Sequence, residues 1–304
     1  MRRFPLFASG WIGLVAGVST CQAATPQTEP GRQMAQGEPQ VTQSVEPLLE
    51  RYDFGRRTAR FDLPGRLDEI SGLAFTPDGR LFGHDDERGR VHEIDTADGS
   101  VGKRFSLGEN AVRDDFEGIA IVGERFFLVS SRGRIYEFRE AGDRESTEFI
   151  VSDTHLGAVC EIEGLDYDPI DDVLLLACKR AKPDDGNIVV HRIPMDPSRG
   201  ELAPLRIDRS RLRAHDLDED FDPSAIAVGP TGTMILLAGR QAALIEVDRS
   251  GRIVSGVRLS KARHPQAEGL AFGPDGTLFI ADEESGRDAR ITVYAQLPVS
   301  GGRE

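Results

Sequence analysis

The sequence predicts an all-β fold, a β-propeller of five blades closed by strands from both chain ends. Three observations predict it. A short phrase recurs at spacings of 48, 46, 61 and 44 residues, beginning at Glu69, Glu117, Glu163, Ser224 and Glu268. Each copy opens short apolar runs with period-two character, and no long stretch keeps the helical period. Turn formers are plentiful, with 33 Gly and 17 Pro, as a turn-rich all-β chain requires. Short strands repeating at this spacing are the mark of a propeller. Six blades is the alternative, because the 61-residue interval has room for extra strands.

The elements of a unit follow in order. The first strand reads Ile70-Ser71-Gly72-Leu73-Ala74-Phe75 in unit one and Gly118-Ile119-Ala120-Ile121 in unit two. Units three to five read Gly164-Leu165-Asp166-Tyr167, Ala225-Ile226-Ala227-Val228 and Gly269-Leu270-Ala271-Phe272. Hairpin signals come next, Pro77-Asp78-Gly79, Pro230-Thr231-Gly232 and Pro274-Asp275-Gly276, which supply the backbone angles of a tight turn. The second strand is nearly all apolar, as in Leu174-Leu175-Leu176-Ala177 and Ile235-Leu236-Leu237-Ala238, which suits burial on both faces. The third alternates, as in Val91-His92-Glu93-Ile94 and Leu244-Ile245-Glu246-Val247. The tail from Glu268 to about Leu297 and the stretch from about Glu50 to Asp68 together supply one unit, closing the ring with both ends of the chain.

Residues 1–24 read as an export signal. Met1-Arg2-Arg3 precedes an apolar run from Phe4 to Val18, and Ser19-Thr20-Cys21-Gln22-Ala23-Ala24 supplies small exit residues. Cleavage gives a soluble periplasmic protein, lipidation of Cys21 a tethered one, and retention an anchored one, although the run is shorter than the ~20 residues a spanning helix prefers. Residues 25–46 have no aromatic and read as a flexible linker. Residues 47–298 are expected to form one propeller domain, with 299–304 as a tail. Without Cys21 two cysteines remain, Cys160 and Cys178, at the same end of one hairpin. A disulfide and two free buried thiols are the alternatives.

The formal net charge is −14. Such a chain is a poor partner for nucleic acid, whose binding rests on basic contacts. In a propeller the first strand lies nearest the central channel, so Glu69, Glu117, Glu163, Ser224 and Glu268 are expected at one mouth. Residues leaving the second strands join them in the aligned column Asp85, Ser131, Cys178, Gly239 and Asp282, with Asp222 preceding the fourth unit. Converging carboxylates must be protonated, paired with a base or bound to a metal. With no thiolate or histidine cluster, they suit a hard, oxygen-seeking ion, and Ca2+ is the natural candidate outside the cytoplasm. The candidate metal ligands are Glu69, Glu117, Glu163, Glu268, Asp85, Asp282 and Asp222. The alternative is structural, with the glutamates tying blade backbones together. Arg132, Lys179, Arg180 and Arg240 fall on the same face and form a candidate phosphate-binding set, or pair with the ring glutamates. No nucleophile motif supports covalent catalysis.

The segments EISGLAFTPDGRLFGHDDERGRVHEID, DDFEGIAIVGERFFLVSSRGRIYEF and AEGLAFGPDGTLFIADEESG resemble the SdiA-regulated, or YjiK/CarP-like, β-propeller family over roughly Leu48 to Leu297. The recurring E-G-[LI] carries the resemblance. It implies an exported or membrane-associated, calcium-responsive propeller that binds calcium and is comparable to phytase propellers. The fourth unit departs from the pattern, with Asp222-Pro223-Ser224 in place of Glu-Gly. Three functions are therefore expected in turn: a monomeric calcium-binding propeller in calcium homeostasis or envelope function, a phytase-like calcium-dependent phosphohydrolase acting on a phosphorylated small molecule, and a platform for an envelope protein. A lactonase-type site is disfavoured, since it wants an Asn ligand and the chain has only Asn110 and Asn187.

Overall fold

The computed structural model describes residues 47–298. The export segment, the linker, Cys21 and the tail lie outside the described residues. Strand β1 (Ala59–Asp62) comes first in the chain but belongs to the last blade. Blade one holds β2 (Ile70–Phe75), β3 (Leu81–Asp85), β4 (Arg90–Ile94) and β5 (Val101–Leu107). Blade two holds β6 (Phe116–Val122), β7 (Arg125–Ser130), β8 (Arg134–Arg139) and β10 (Phe149–Asp153), while the short β9 (Ser146–Thr147) crosses back to pair in parallel with β5. Blade three holds β11 (Cys160–Asp168), β12 (Val173–Ala181), β13 (Asn187–Pro194) and β14 (Leu205–Asp208). Blade four holds β15 (Ala225–Val228), β16 (Met234–Ala238), β17 (Ala243–Val247) and β18 (Ile253–Arg258). Blade five takes β19 (Ala267–Phe272), β20 (Leu278–Asp282) and β21 (Arg290–Tyr294) from the C-terminal end and β1 from the other, in the order β1-β21-β20-β19. There are five blades, and the 61-residue interval holds β14 and a 3-10 turn at Arg209–His215 instead of further strands.

The inner strands β2, β6, β11, β15 and β19 neighbour one another in that order, and β19 meets β2, so the ring is closed. Hydrophobicity acts between blades. Five apolar layers form, one at each interface; Phe82, Phe105 and Phe116 join Phe126 and Phe138 between blades one and two, and Leu175, Ile207, Leu236 and Ile245 meet between blades three and four. The second strands contribute to two layers at once, which is why β12 and β16 are apolar without alternation. Each fully buried Leu or Phe contributes roughly 1.5–3 kcal/mol. In blade three Cys160 and Cys178 are joined by a disulfide; Ile162 faces Cys178 and Ala181 faces Cys160, so the bond runs diagonally across the strand pair. Among the described residues no helix is long and apolar enough to cross a membrane.

Candidate site at the channel mouth

The recurring phrase sits on a backbone irregularity. In four blades the register between the first two strands shifts at that point: between Ile70 and Gly72, Phe116 and Gly118, Ile162 and Leu165, and Ala267 and Gly269. The bulge leaves one residue out of the ladder. The glycine after it is needed for close approach. A Cβ on Gly118 would lie 2.6 Å from the Leu165 backbone nitrogen, one on Gly164 3.0 Å from the Ile226 nitrogen, and one on Gly72 3.2 Å from the Ile119 nitrogen. Inner strands therefore touch backbone to backbone where the phrase recurs.

This register corrects the first unit. Gly72 is the equivalent of Gly118, so the residue equivalent to Glu117 is Ser71, and Glu69 stands two positions earlier. The ring is Ser71, Glu117, Glu163, Ser224 and Glu268: three carboxylates and two hydroxyls. Ser71 Oγ donates to Glu117 Oε2 at 3.4 Å. Ser224 is tied to backbone, its Oγ donating to the Ala267 carbonyl at 2.8 Å and accepting from Gly239 N–H at 3.0 Å, and so links blades four and five. Lys179 Nζ donates to Glu163 Oε1 at 2.8 Å and stands 3.8 Å from Glu161.

The electrostatics follow from burial. Glu268 is pushed up to about 8 by burial, then by repulsion from Glu163 and Glu283. Glu117 is raised by burial and by the charges of Glu163, Asp115 and Glu268. Glu163 is raised by burial and held back by the Lys179 hydrogen bond. Burial works against the Lys179 charge, yet the Glu163 bond and the charges of Glu161 and Glu268 leave it raised. Glu69 belongs to a neighbouring acidic group. Its carbonyl accepts Asp86 N–H at 3.2 Å, Asp86 is pushed up to about 7 by burial and by Glu69, and Glu283 is raised by burial and by Glu69.

Three expected ligands are directed elsewhere. Asp282 has the same strand parity as Leu278 and Ile280, which pack towards blade four. It is fully buried, with Oδ2 2.8 Å from His264 Nδ1, and His264 Nε2 is 2.7 Å from the Tyr294 hydroxyl. Asp85 shares the parity of Leu81, which packs towards blade five. Its Oδ1 accepts Arg88 N–H, and its Oδ2 is 4.0 Å from His92 Nε2. The alternation of β3 and β20 thus turns both carboxylates into interblade layers. Asp222 is held by Arg180 at 3.0 Å, Arg240 at 2.9 Å and Arg209 at 3.9 Å. The basic set is split: Lys179 serves Glu163, Arg180 and Arg240 serve Asp222, and Arg132 makes no ion pair among the described residues. Ser71 and Arg209 escaped sequence reasoning. Aligning the units on glycine identifies Ser71; nothing in the local sequence marks Arg209.

Among the described residues no three acidic, imidazole or thiol groups already stand at the spacing of a bound ion. The donor chemistry at the mouth is oxygen-only, which suits a hard cation, and the Lys179 ammonium occupies the cationic role. At the opposite end of the channel Phe75, Ile121, Tyr167, Val228 and Phe272, from near the ends of the five inner strands, line a cavity of about 440 Å³ together with Asp166.

A family model described as SdiA-regulated matches residues 50–285. No curated protein matches the sequence. Among solved structures, the glutaminyl cyclase of Myxococcus xanthus is 14% identical, with 81% of this chain and 97% of that chain covered and a TM-score of 0.54. The PQQ-bound aldose sugar dehydrogenase of Streptomyces coelicolor is 12% identical, with 79% and 97% covered and a TM-score of 0.50. At these identities the likeness shows the propeller fold alone.

Proposed function

The chain belongs to the SdiA-regulated family, and on that premise we propose that it is an exported, calcium-responsive propeller whose acidic mouth takes Ca2+. The observation that carries this reading is the trio of buried Glu163 and half-buried Glu117 and Glu268 gathered around a single lysine. Fully ionised, three carboxylates against one ammonium would carry a negative surplus in a poorly solvated place; near neutral pH the raised Glu117 and Glu268 relieve it by holding protons, and a divalent cation relieves it by displacing them. Glu117, Glu163 and Glu268 would hold the ion, with the Ser71 hydroxyl beside them; when bound, the ion supplies charge neutralisation. Lys179 must first turn away from Glu163, so Ca2+ competes with the protein's own cation. The output is a change in stability, since a ligand that binds only the folded state stabilises it by mass action. The expected phosphate set is divided between two carboxylates, so phosphoryl chemistry forms no part of the proposal.

Thermal melts of the purified protein in EDTA, in millimolar Ca2+ and in millimolar Mg2+ test it. A rise of several degrees specific to Ca2+ is expected, and it should disappear in the double variant Glu117→Gln/Glu268→Gln. A Ca2+ shift that persists in that variant places the ion elsewhere, and no shift at all makes the trio a blade-spacing device.

A further inference from the structure

Beside the mouth, between blades three and four, the β12–β13 hairpin and the β14–β15 connection enclose a cleft of about 1150 Å³. Asp222 stands at its edge with only 7% of its side chain exposed, yet Arg180 Nη2 and Arg240 Nη2 both donate to its Oδ2. Their own side chains are 56% and 63% exposed. Arg209 fixes the segment that presents Asp222, its Nη1 donating to the Phe221 carbonyl at 2.7 Å and the Glu219 carbonyl at 3.4 Å, with its Nη2 3.9 Å from Asp222. We propose that Arg180 and Arg240, held by Asp222, form a fork that binds the oxyanion of a small polar ligand, a phosphate or carboxylate group, at the edge of this cleft.

The charges support it. At the fork itself three guanidinium groups face two carboxylates, Asp222 and the more exposed Asp220, which lies 3.4 Å from Arg240. Of the further acids lining the cleft, Asp185 pairs with Arg206, Asp208 with Arg211 at 3.5 Å and Glu219 with Arg213 at 2.8 Å, while Asp184 accepts the Gly186 N–H and keeps its charge. Each exposed guanidinium directs one nitrogen at Asp222 and keeps further N–H donors for a ligand. A guanidinium anchored at one side loses less freedom on binding and matches the geometry of carboxylate or phosphate. Lys182 lines the same cleft. The inference stands on these contacts and does not depend on the calcium reading.

The purified protein, kept in EDTA, is titrated calorimetrically and melted with inorganic phosphate, with acetate, and with NaCl at matched ionic strength. A saturable response to phosphate or acetate that NaCl does not reproduce is expected, and the stronger of the two identifies the head group. Arg180→Gln/Arg240→Gln should weaken it by at least about tenfold. Arg139→Gln, which removes an exposed pair with Glu124 in blade two, should leave it unchanged. Arg180→Lys keeps the charge and removes the fork; with the fold verified by circular dichroism, it too should lose affinity. Absence of a saturable response to either anion overturns the proposal, as does an equal loss in Arg139→Gln.

Discussion

Lys179 is the mouth's internal counter-ion, and its removal separates two effects. Leaving Glu163 buried without its partner costs about 1–3 kcal/mol, below the full cost of a broken buried pair because Lys179 is 36% exposed. Lys179→Met should therefore melt lower in EDTA, yet gain more from Ca2+ than the parent, because the competitor has gone. A smaller Ca2+ gain in this variant would show that the lysine supports the ion's site. The same carboxylates set a pH dependence. An unfolded glutamate titrates near 4.3, whereas Glu268 is held up to about 8 and Glu117 and Glu163 are also raised. In that interval the folded protein holds protons the unfolded chain has shed, so the contribution is complete below about pH 4.3 and is lost as pH rises through the folded values. His84 and His92 act in the opposite sense. Burial lowers each to about 4, so their contribution is present above about 6.5 and is lost as pH falls towards 4. In EDTA, Glu268→Gln should flatten the decline in melting temperature between pH 5 and pH 9 and leave the histidine-linked loss below pH 6.5 in place. An unchanged alkaline slope would remove Glu268 from the titrating set.

At the scale of the strand, the feature that recurs is a bulge followed by a glycine. Gly118→Ala places a methyl 2.6 Å from the Leu165 nitrogen, where only a backbone shift can make room, and should cost about 1–3 kcal/mol. Gly102→Ala in β5 meets nothing within 4 Å and should stabilise by about 0.4–1 kcal/mol through the unfolded chain. Chemical denaturation of the pair checks the contrast; equal effects would show that inner strands are free to move apart. This also explains how much of the molecule the sequence displays. Five blades, their hairpins and the closure by both ends follow from apolar alternation and turn residues, which are local properties. Matching the units on glutamate pairs Glu69 with Glu117, since both precede an apolar run, but the shared backbone demand is for Gly72 and Gly118. Asp85 and Asp282 turn away from the expected mouth for a related reason. Side-chain direction alternates along a strand, so one bulged residue decides which face a neighbour takes, and its position is set by contact with the adjacent blade. For Arg180, Asp222 and Arg240 the sequence places all three on one face but not their pairing, since 42 residues separate Arg180 from Asp222.

A ring of five blades is only as stable as its seam. Blade five takes three strands from one end of the chain and β1 from the other, with Phe61 paired to Ile291 and Ala59 to Val293. The seam is reinforced outside the sheet, where the Tyr52 hydroxyl donates to the Gly276 carbonyl at 2.6 Å and Leu48 and Leu49 enter the layer between blades four and five. Phe61 is 6% exposed and packs with Ile70, Phe279 and Ile291 in the layer between blades five and one. Its truncation therefore weakens β1 pairing and the final interblade layer together. Phe61→Ala should cost about 3–5 kcal/mol, in the range of a large core truncation, although β1 is an outer strand. The loss should spread around the ring: β21 loses the partner covering its outer edge, and the layers on either side of blade five open with it. Amide exchange followed by mass spectrometry distinguishes this from local fraying. Accelerated exchange in β21, β19 and β2 together indicates that the seam holds the ring as one cooperative unit, whereas acceleration confined to β1 would mean that the other four blades sustain the fold without it.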